Sequence, residues 1–123
     1  MNTLRVMVAD DEYHARRLFC EIVKNLPGIV VGEVDNGGDV LEQYGRLLPD
    51  LLLLDINMPI KTGDDVVNEI LQSYPSARII ILTGAADSET IGQCIDSGAI
   101  GYIRKDVPPE EMRERIRGML DGD

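Results

Sequence analysis

Three carboxylates stand where a fold could bring them together. Asp10 and Asp11 directly follow the apolar run Leu4-Arg5-Val6-Met7-Val8-Ala9, and Asp55 directly follows Leu51-Leu52-Leu53-Leu54. Two more polar groups hold equivalent places: Thr83 closes Ile79-Ile80-Ile81-Leu82, and Lys105 lies just beyond Gly101-Tyr102-Ile103. Three carboxylates in one half-buried crevice repel one another, and one of them must stay protonated unless a cation compensates. A hard divalent ion such as Mg2+ is the natural counter-charge. It takes a few carboxylate or carbonyl oxygens, keeps several waters, and sits where phosphate is handled. A lysine ammonium and a threonine hydroxyl opposite the acids would stabilise charge on a phosphoryl group carried by one aspartate. Asp55 is the best nucleophile of the set, since carboxylates do form aspartyl phosphates.

For these side chains to converge, the chain must place the ends of several strands side by side. Five short apolar runs, residues 4–9, 29–34, 51–54, 78–82 and 101–103, recur at fairly regular intervals. Between them apolar residues return at helical spacing, as in Ala15, Phe19, Ile22, Val23 and Leu26, or Met112, Ile116, Met119 and Leu120. Breakers fall at the turns: Pro27-Gly28, Pro49, Pro75 and Gly98. Strand and helix therefore alternate. The third and fourth runs are continuously apolar, as a parallel strand covered by helices on both faces requires. This predicts an α/β fold with a doubly wound, five-stranded parallel sheet. In the order 2-1-3-4-5, strands one and three flank the switch point, and ligands bind at the carboxyl ends of the strands. Asp10, Asp11 and Asp55 then meet, with Thr83 and Lys105 at the rim. The last helix reads well locally, opening at Pro108-Pro109 with Glu110 and Glu111 in its first turn. Arg113, Arg115 and Arg117 follow to complement the macrodipole.

Composition narrows the function. The chain has 123 residues, 44% of them apolar, with 12 Lys plus Arg against 22 Asp plus Glu, for a net charge of −10. That is one globular domain, expected to span residues 1–123, and neither a disordered nor a fibrous chain. So negative a domain would be repelled by DNA, RNA or an anionic membrane. Cys20 and Cys94 fall on predicted helices without Cys-x-x-Cys spacing, which gives neither a disulfide framework nor a zinc site and suits a reducing cytoplasm. His14 is likewise a lone residue without ligand spacing. No apolar run is long enough to span a bilayer and no signal peptide is visible. Leu120-Asp121-Gly122-Asp123 reads as a chain leaving the domain at the start of a linker.

Val8-Ala9-Asp10-Asp11, Leu53-Leu54-Asp55-Ile56-Asn57-Met58-Pro59, Gly63, Leu82-Thr83-Gly84 and Gly98-Ala99-Ile100-Gly101-Tyr102-Ile103-Arg104-Lys105, taken jointly and in order, resemble the receiver domain of a bacterial two-component response regulator. The resemblance covers essentially the whole chain and implies a flavodoxin-like receiver fold with five helices. By it, Asp55 would accept a phosphoryl group from a sensor histidine kinase, with Asp11 and Asp55 as direct Mg2+ ligands. Asp10 would act through water and Asn57 through its backbone carbonyl. Thr83 and Lys105 would stabilise the phosphoryl group, and Thr83 and Tyr102 would carry the switch. Residues 25–33, Ser97-Gly98-Ala99-Ile100-Gly101-Tyr102 and Lys105-Asp106 resemble the subgroup with a LuxR-type helix-turn-helix output. That subgroup implies homodimerisation on phosphorylation and DNA contact only through a domain outside this chain. Two positions depart from the general pattern: Asp106 follows Lys105 where many receivers have a proline, and Lys61-Thr62 stands where Met-Asp is common. The first removes an expected cis peptide bond; the second alters the loop surface that a partner would meet.

Plainer readings compete at each position. Asp10 or Asp11 could cap the first helix, Tyr102 could simply pack its ring, and Thr62 with Asp65 reads as a capping-box-like helix start. Arg16, Arg17 and the arginines of the last helix read as solvated faces. Thr83 gains interest from Gly84 beside it, which leaves open space for a phosphoryl group. Among rival functions, a flavodoxin-type electron carrier needs a phosphate-cradling loop where this chain has Asp10-Asp11-Glu12, and no P-loop motif exists. A Mg2+-dependent phosphohydrolase with an aspartyl-phosphate intermediate, and a stand-alone receiver acting as phosphoryl shuttle or adaptor, remain as alternatives. The expectation is a signalling switch and not a substrate-processing enzyme.

Overall fold

The computed structural model describes residues 3–84 and 88–121. Five parallel strands alternate with helices: β1 (Leu4–Ala9), α1 (Tyr13–Lys24), β2 (Gly28–Val34), α2 (Val40–Leu47), β3 (Leu51–Asp55), α3 (Gly63–Ser73), β4 (Ile79–Thr83), α4 (Ser88–Ser97), β5 (Gly101–Arg104) and α5 (Pro109–Asp121). The strand order is β2-β1-β3-β4-β5, as the alternation of patterns predicted.

Successive side chains of a strand point to opposite faces, and both faces are covered. Met7, Ala9, Leu52, Leu54, Ile79 and Ile81 pack under α2, α3 and α4, against Val40, Val67, Ile70 and Cys94. Val6, Val8, Leu51, Leu53, Ile80 and Leu82 pack under α1 and α5, against Phe19, Val23, Met112 and Ile116. Every residue of β3 and β4 is buried, which accounts for their unbroken apolar runs. Each such leucine or isoleucine contributes about 1.5–3 kcal/mol of burial, so this central pair is the most firmly anchored part of the sheet.

Register then sets the site. Ala9 pairs with Leu54, Asp55 with Leu82, and Thr83 with Arg104, so the polar residues end their strands within one residue of a common level. Asp55, Thr83 and Arg104 are the last residues of β3, β4 and β5, one step beyond the ends of the apolar runs. Beyond Asp10, whose amide donates to Val34 O at 2.9 Å, the chain turns into α1.

Local expectations meet three corrections. Thr62 stands at the N-cap of α3, but its hydroxyl donates to Asp64 and Asp65, at 2.7 and 3.2 Å, and caps no amide, so no capping box forms. The arginines of α5 do not reach its last turn. Arg115 pairs with Glu111 one turn back, and Arg113 and Arg117 flank Glu114. Arg16 is not a solvated side chain: 17% of it is exposed. Cys20 and Cys94 are free and buried. Among the described residues no helix is long and apolar enough to cross a membrane. Gly122 and Asp123, where the linker was expected to begin, lie outside the described residues.

Candidate functional site

At the carboxyl ends of β1 and β3, one oxygen from each of Asp10, Asp11 and Asp55 lies within 4.8 Å of the others, the one such acidic group among the described residues. Two of the three are sequestered from water: Asp10 and Asp55 are buried and Asp11 is exposed. Burial follows from position. Asp55 ends a strand with helices on both sides and Asp10 follows a fully covered one, whereas Asp11 has already entered the turn.

Lys105 answers part of this charge. Its ammonium lies 2.7 Å from Asp10 Oδ2 and 3.3 Å from Asp55 Oδ2. Its amide donates to Thr83 O at 2.8 Å, which ties the β5–α5 turn to the end of β4. The other carboxylate oxygens take main-chain donors: Glu12 N donates to Asp10 Oδ1 at 2.9 Å, and Asn57 N to Asp55 Oδ1 at 3.1 Å. The helix-cap reading of Asp10 and Asp11 fails: Glu12 holds the N-cap position of α1, no side chain caps the helix, and the bond to Asp10 comes from Glu12 N ahead of its first turn. Burial first, and the neighbouring Asp10 charge second, push the Asp55 carboxyl up to about 7, against the pull of the Asn57 amide and Lys105. Burial works against the Lys105 charge, yet the hydrogen bond to Asp10 and the charges of Asp55 and Asp10 hold its ammonium above the usual lysine range.

These donors suit a hard divalent cation. Asp10 Oδ2 is buried and, apart from its close pairing with the Lys105 ammonium, has no hydrogen-bond partner among the described residues. With all three acids ionised, three negative charges less one positive leave a surplus of two, which one divalent ion matches. The oxygen-only donor set is that of Mg2+. Next to Thr83, which is buried, a β-carbon at Gly84 would meet nothing within 4 Å among the described residues. Tyr102 is exposed on β5 and lines a small cleft with Ser88, Ile91, Gly92 and Arg104. A more voluminous cleft lies elsewhere, at the amino ends of the strands between Tyr44, Pro49, Tyr74 and Arg78, and contains none of these acids.

Residues 6–117 match the model of the response regulator receiver domain. The chain belongs to this family. Similar to this receiver domain are the nitrate/nitrite response regulator NarP of Escherichia coli, 37% identical over 96% of this chain and 55% of that protein, and the chemotaxis protein CheY of Thermotoga maritima, 31% identical over 91% of this chain and 93% of that one. A LuxR-family two-component response regulator from Aurantimonas superposes with a TM-score of 0.90 at 30% identity, covering 98% of this chain and 87% of the other. The receiver domain spans just over half the length of several curated relatives that it matches. It is the receiver domain of a two-component response regulator, with homologues among LuxR-family transcriptional regulators.

Two contributors to the site escaped sequence reasoning. Arg16 donates from Nη1 to the Asp10 carbonyl at 2.9 Å. Gly37, just after β2, donates its amide to Pro59 O at 3.0 Å, and a β-carbon there would lie 2.4 Å from Lys61 O. The β2–α2 turn thus seats the loop that leaves Asp55, including Ile60, which is held at φ 78°. Asn36-Gly37-Gly38 carries a turn signal, but nothing local tells which loop packs on it.

Proposed function

We propose that this receiver domain accepts a phosphoryl group on Asp55 from a phosphohistidine of a sensor histidine kinase, with Mg2+ held by Asp11, Asp55, the Asn57 carbonyl and, through water, Asp10. The observation that carries the reading is the convergence of Asp10, Asp11 and Asp55 opposite Lys105, where the fully buried strand β3 ends. An Asp55 oxygen attacks phosphorus, the phosphorus–nitrogen bond of the donor breaks, and the imidazole leaves with the bonding pair. The carboxylate must be ionised to attack, so a group resting near 7 is only partly competent at neutral pH. A bound Mg2+ would draw it toward the ionised form and offset charge on the phosphoryl oxygens. Lys105, freed from its pairing with Asp55, would meet the new phosphoryl charge across the crevice. Thr83 would follow it by hydrogen bonding, and the rearrangement would reach the surface at Tyr102. The phosphoryl group alters output only as far as it favours one of two such arrangements.

The output lies outside this chain. A net charge of −10 keeps this domain off DNA; we propose a basic DNA-binding domain beyond residue 123, homodimerisation on phosphorylation and a cytoplasmic setting, and the match to only 55% of NarP's length supports the first of these. The match to CheY of Thermotoga maritima over 93% of its length supports the second reading, a single-domain shuttle or adaptor. The full reading frame separates the two. A phosphohydrolase is disfavoured because it needs a general acid near Asp55, and Asn57, two residues after the nucleophile, is not an acid. The chemistry is tested by intact mass after incubation with Mg2+ and acetyl phosphate. One added phosphoryl group is expected and is lost in Asp55→Asn; a label that survives that substitution overturns the nucleophile.

A further inference from the structure

We infer that Arg16 is a positioning residue for the acidic cluster: its guanidinium is a strut that fixes the Asp10–Asp11 peptide and so presents Asp11 for cation binding. The inference rests on the Mg2+ reading above. Its basis is a side chain that joins three elements at once. From the first turns of α1, Nη1 donates to the Asp10 carbonyl at 2.9 Å and Nε donates to Glu33 Oε1 on edge strand β2 at 3.1 Å. Glu33 is also paired with Arg17, and the Arg16 guanidinium lies 5.6 Å from the Tyr13 ring centroid. With two directed hydrogen bonds and a ring face, the planar fork has little freedom left.

The bonded carbonyl is the one that matters for Asp11. Asp10 N–H, in the preceding peptide, is held by Val34 O, and Arg16 holds the carbonyl of the peptide that leads into Asp11, so both peptides flanking Asp10 are tied down. Asp11 is the exposed member of the trio. Packing holds buried Asp10 and Asp55, whereas exposed Asp11 depends more on the direction of its backbone. Lost outer supports of this kind typically weaken metal affinity 10–100-fold.

A strut and a mere nearby charge predict opposite signs. A guanidinium beside a carboxylate cluster repels a cation, so if charge were its whole role, Arg16→Ala would tighten Mg2+ binding. If it is a strut, Arg16→Ala weakens Mg2+ binding about 10-fold. Arg16→Lys, which keeps the charge but offers one point instead of a fork, falls between. The experiment is calorimetric titration of the wild-type domain and both variants with MgCl2 at pH 8. Metal-free melts and amide exchange at Glu12, which bonds Asp10 Oδ1, are measured alongside. Weaker binding in both variants with faster Glu12 exchange is expected. If Arg16→Ala does not fold, weaker binding by Arg16→Lys alone supports the strut and unchanged binding refutes it. Equal or tighter binding by a folded Arg16→Ala, or a lower melting temperature with unchanged affinity, overturns the inference and leaves the Mg2+ site standing. A wild-type domain that binds no Mg2+ overturns both.

Discussion

Replacing Asp55 by asparagine should stabilise the metal-free domain, although it removes the proposed phosphoacceptor. The carboxyl is 3% exposed, faces Asp10, and is pushed from 3.8 up to about 7. Because its pKa is higher in the folded chain than in the unfolded one, the folded state is favoured while the group is protonated in both. That advantage is complete below pH 3.8, declines as pH rises, and is gone above about 7. Three units correspond to about 4 kcal/mol; water entry and relaxation around an ionised Asp55 bring the expected loss to about 2 kcal/mol. Asparagine keeps the shape and the Asn57 amide contact without the charge, and Lys105 keeps Asp10. At pH 8 in EDTA, Asp55→Asn should therefore exceed wild type by about 2 kcal/mol, or about 8 °C in melting temperature for a domain of this size. Near pH 4 the two should converge. Melts of both proteins between pH 4 and 9 decide it: equal stability at pH 8, or a difference independent of pH, refutes the argument that buried charge repulsion shapes this site.

Asp11→Ala should fold as wild type does and lose most of the rise in melting temperature that saturating Mg2+ confers, which thermal melts with and without the metal read directly. Lys105→Ala leaves buried Asp10 and Asp55 facing each other without their ammonium; a loss of about 1–3 kcal/mol at pH 8, largely restored by Mg2+, is expected in chemical denaturation. Thr83→Ala should unfold close to wild type but show a weaker phosphorylation-dependent change at Tyr102, followed by its fluorescence or ring NMR signals. Gly37→Ala drives a β-carbon against Lys61 backbone and should cost about 1–3 kcal/mol, with the damage visible as faster amide exchange at Gly63, which bonds Ile56 O in the same loop.

Much of this protein was legible without coordinates because parallel sheets write themselves into local pattern. The unbroken runs at residues 51–54 and 79–82 announce strands covered on both faces. In such a sheet the residues at strand ends are the ones that meet, so Asp10, Asp55, Thr83 and Lys105 could be named from their places in the chain. Three things were decided only by the packed structure. Asp10 and Asp11 are neighbours of one chemical type, yet one is buried and the other exposed, because the turn into α1 begins between them. Arg16 looks like any helix-surface arginine until β2 brings Glu33 alongside α1. The roles expected of Thr62 and of the α5 arginines as helix-end charges gave way to ion pairs and hydrogen bonds with nearer carboxylates. The physical reason is range. Hydrophobic period and breakers act within a few residues and fix the order of elements, whereas burial of a charge and the partner of a guanidinium depend on which loops and strands, distant in sequence, come to rest beside them.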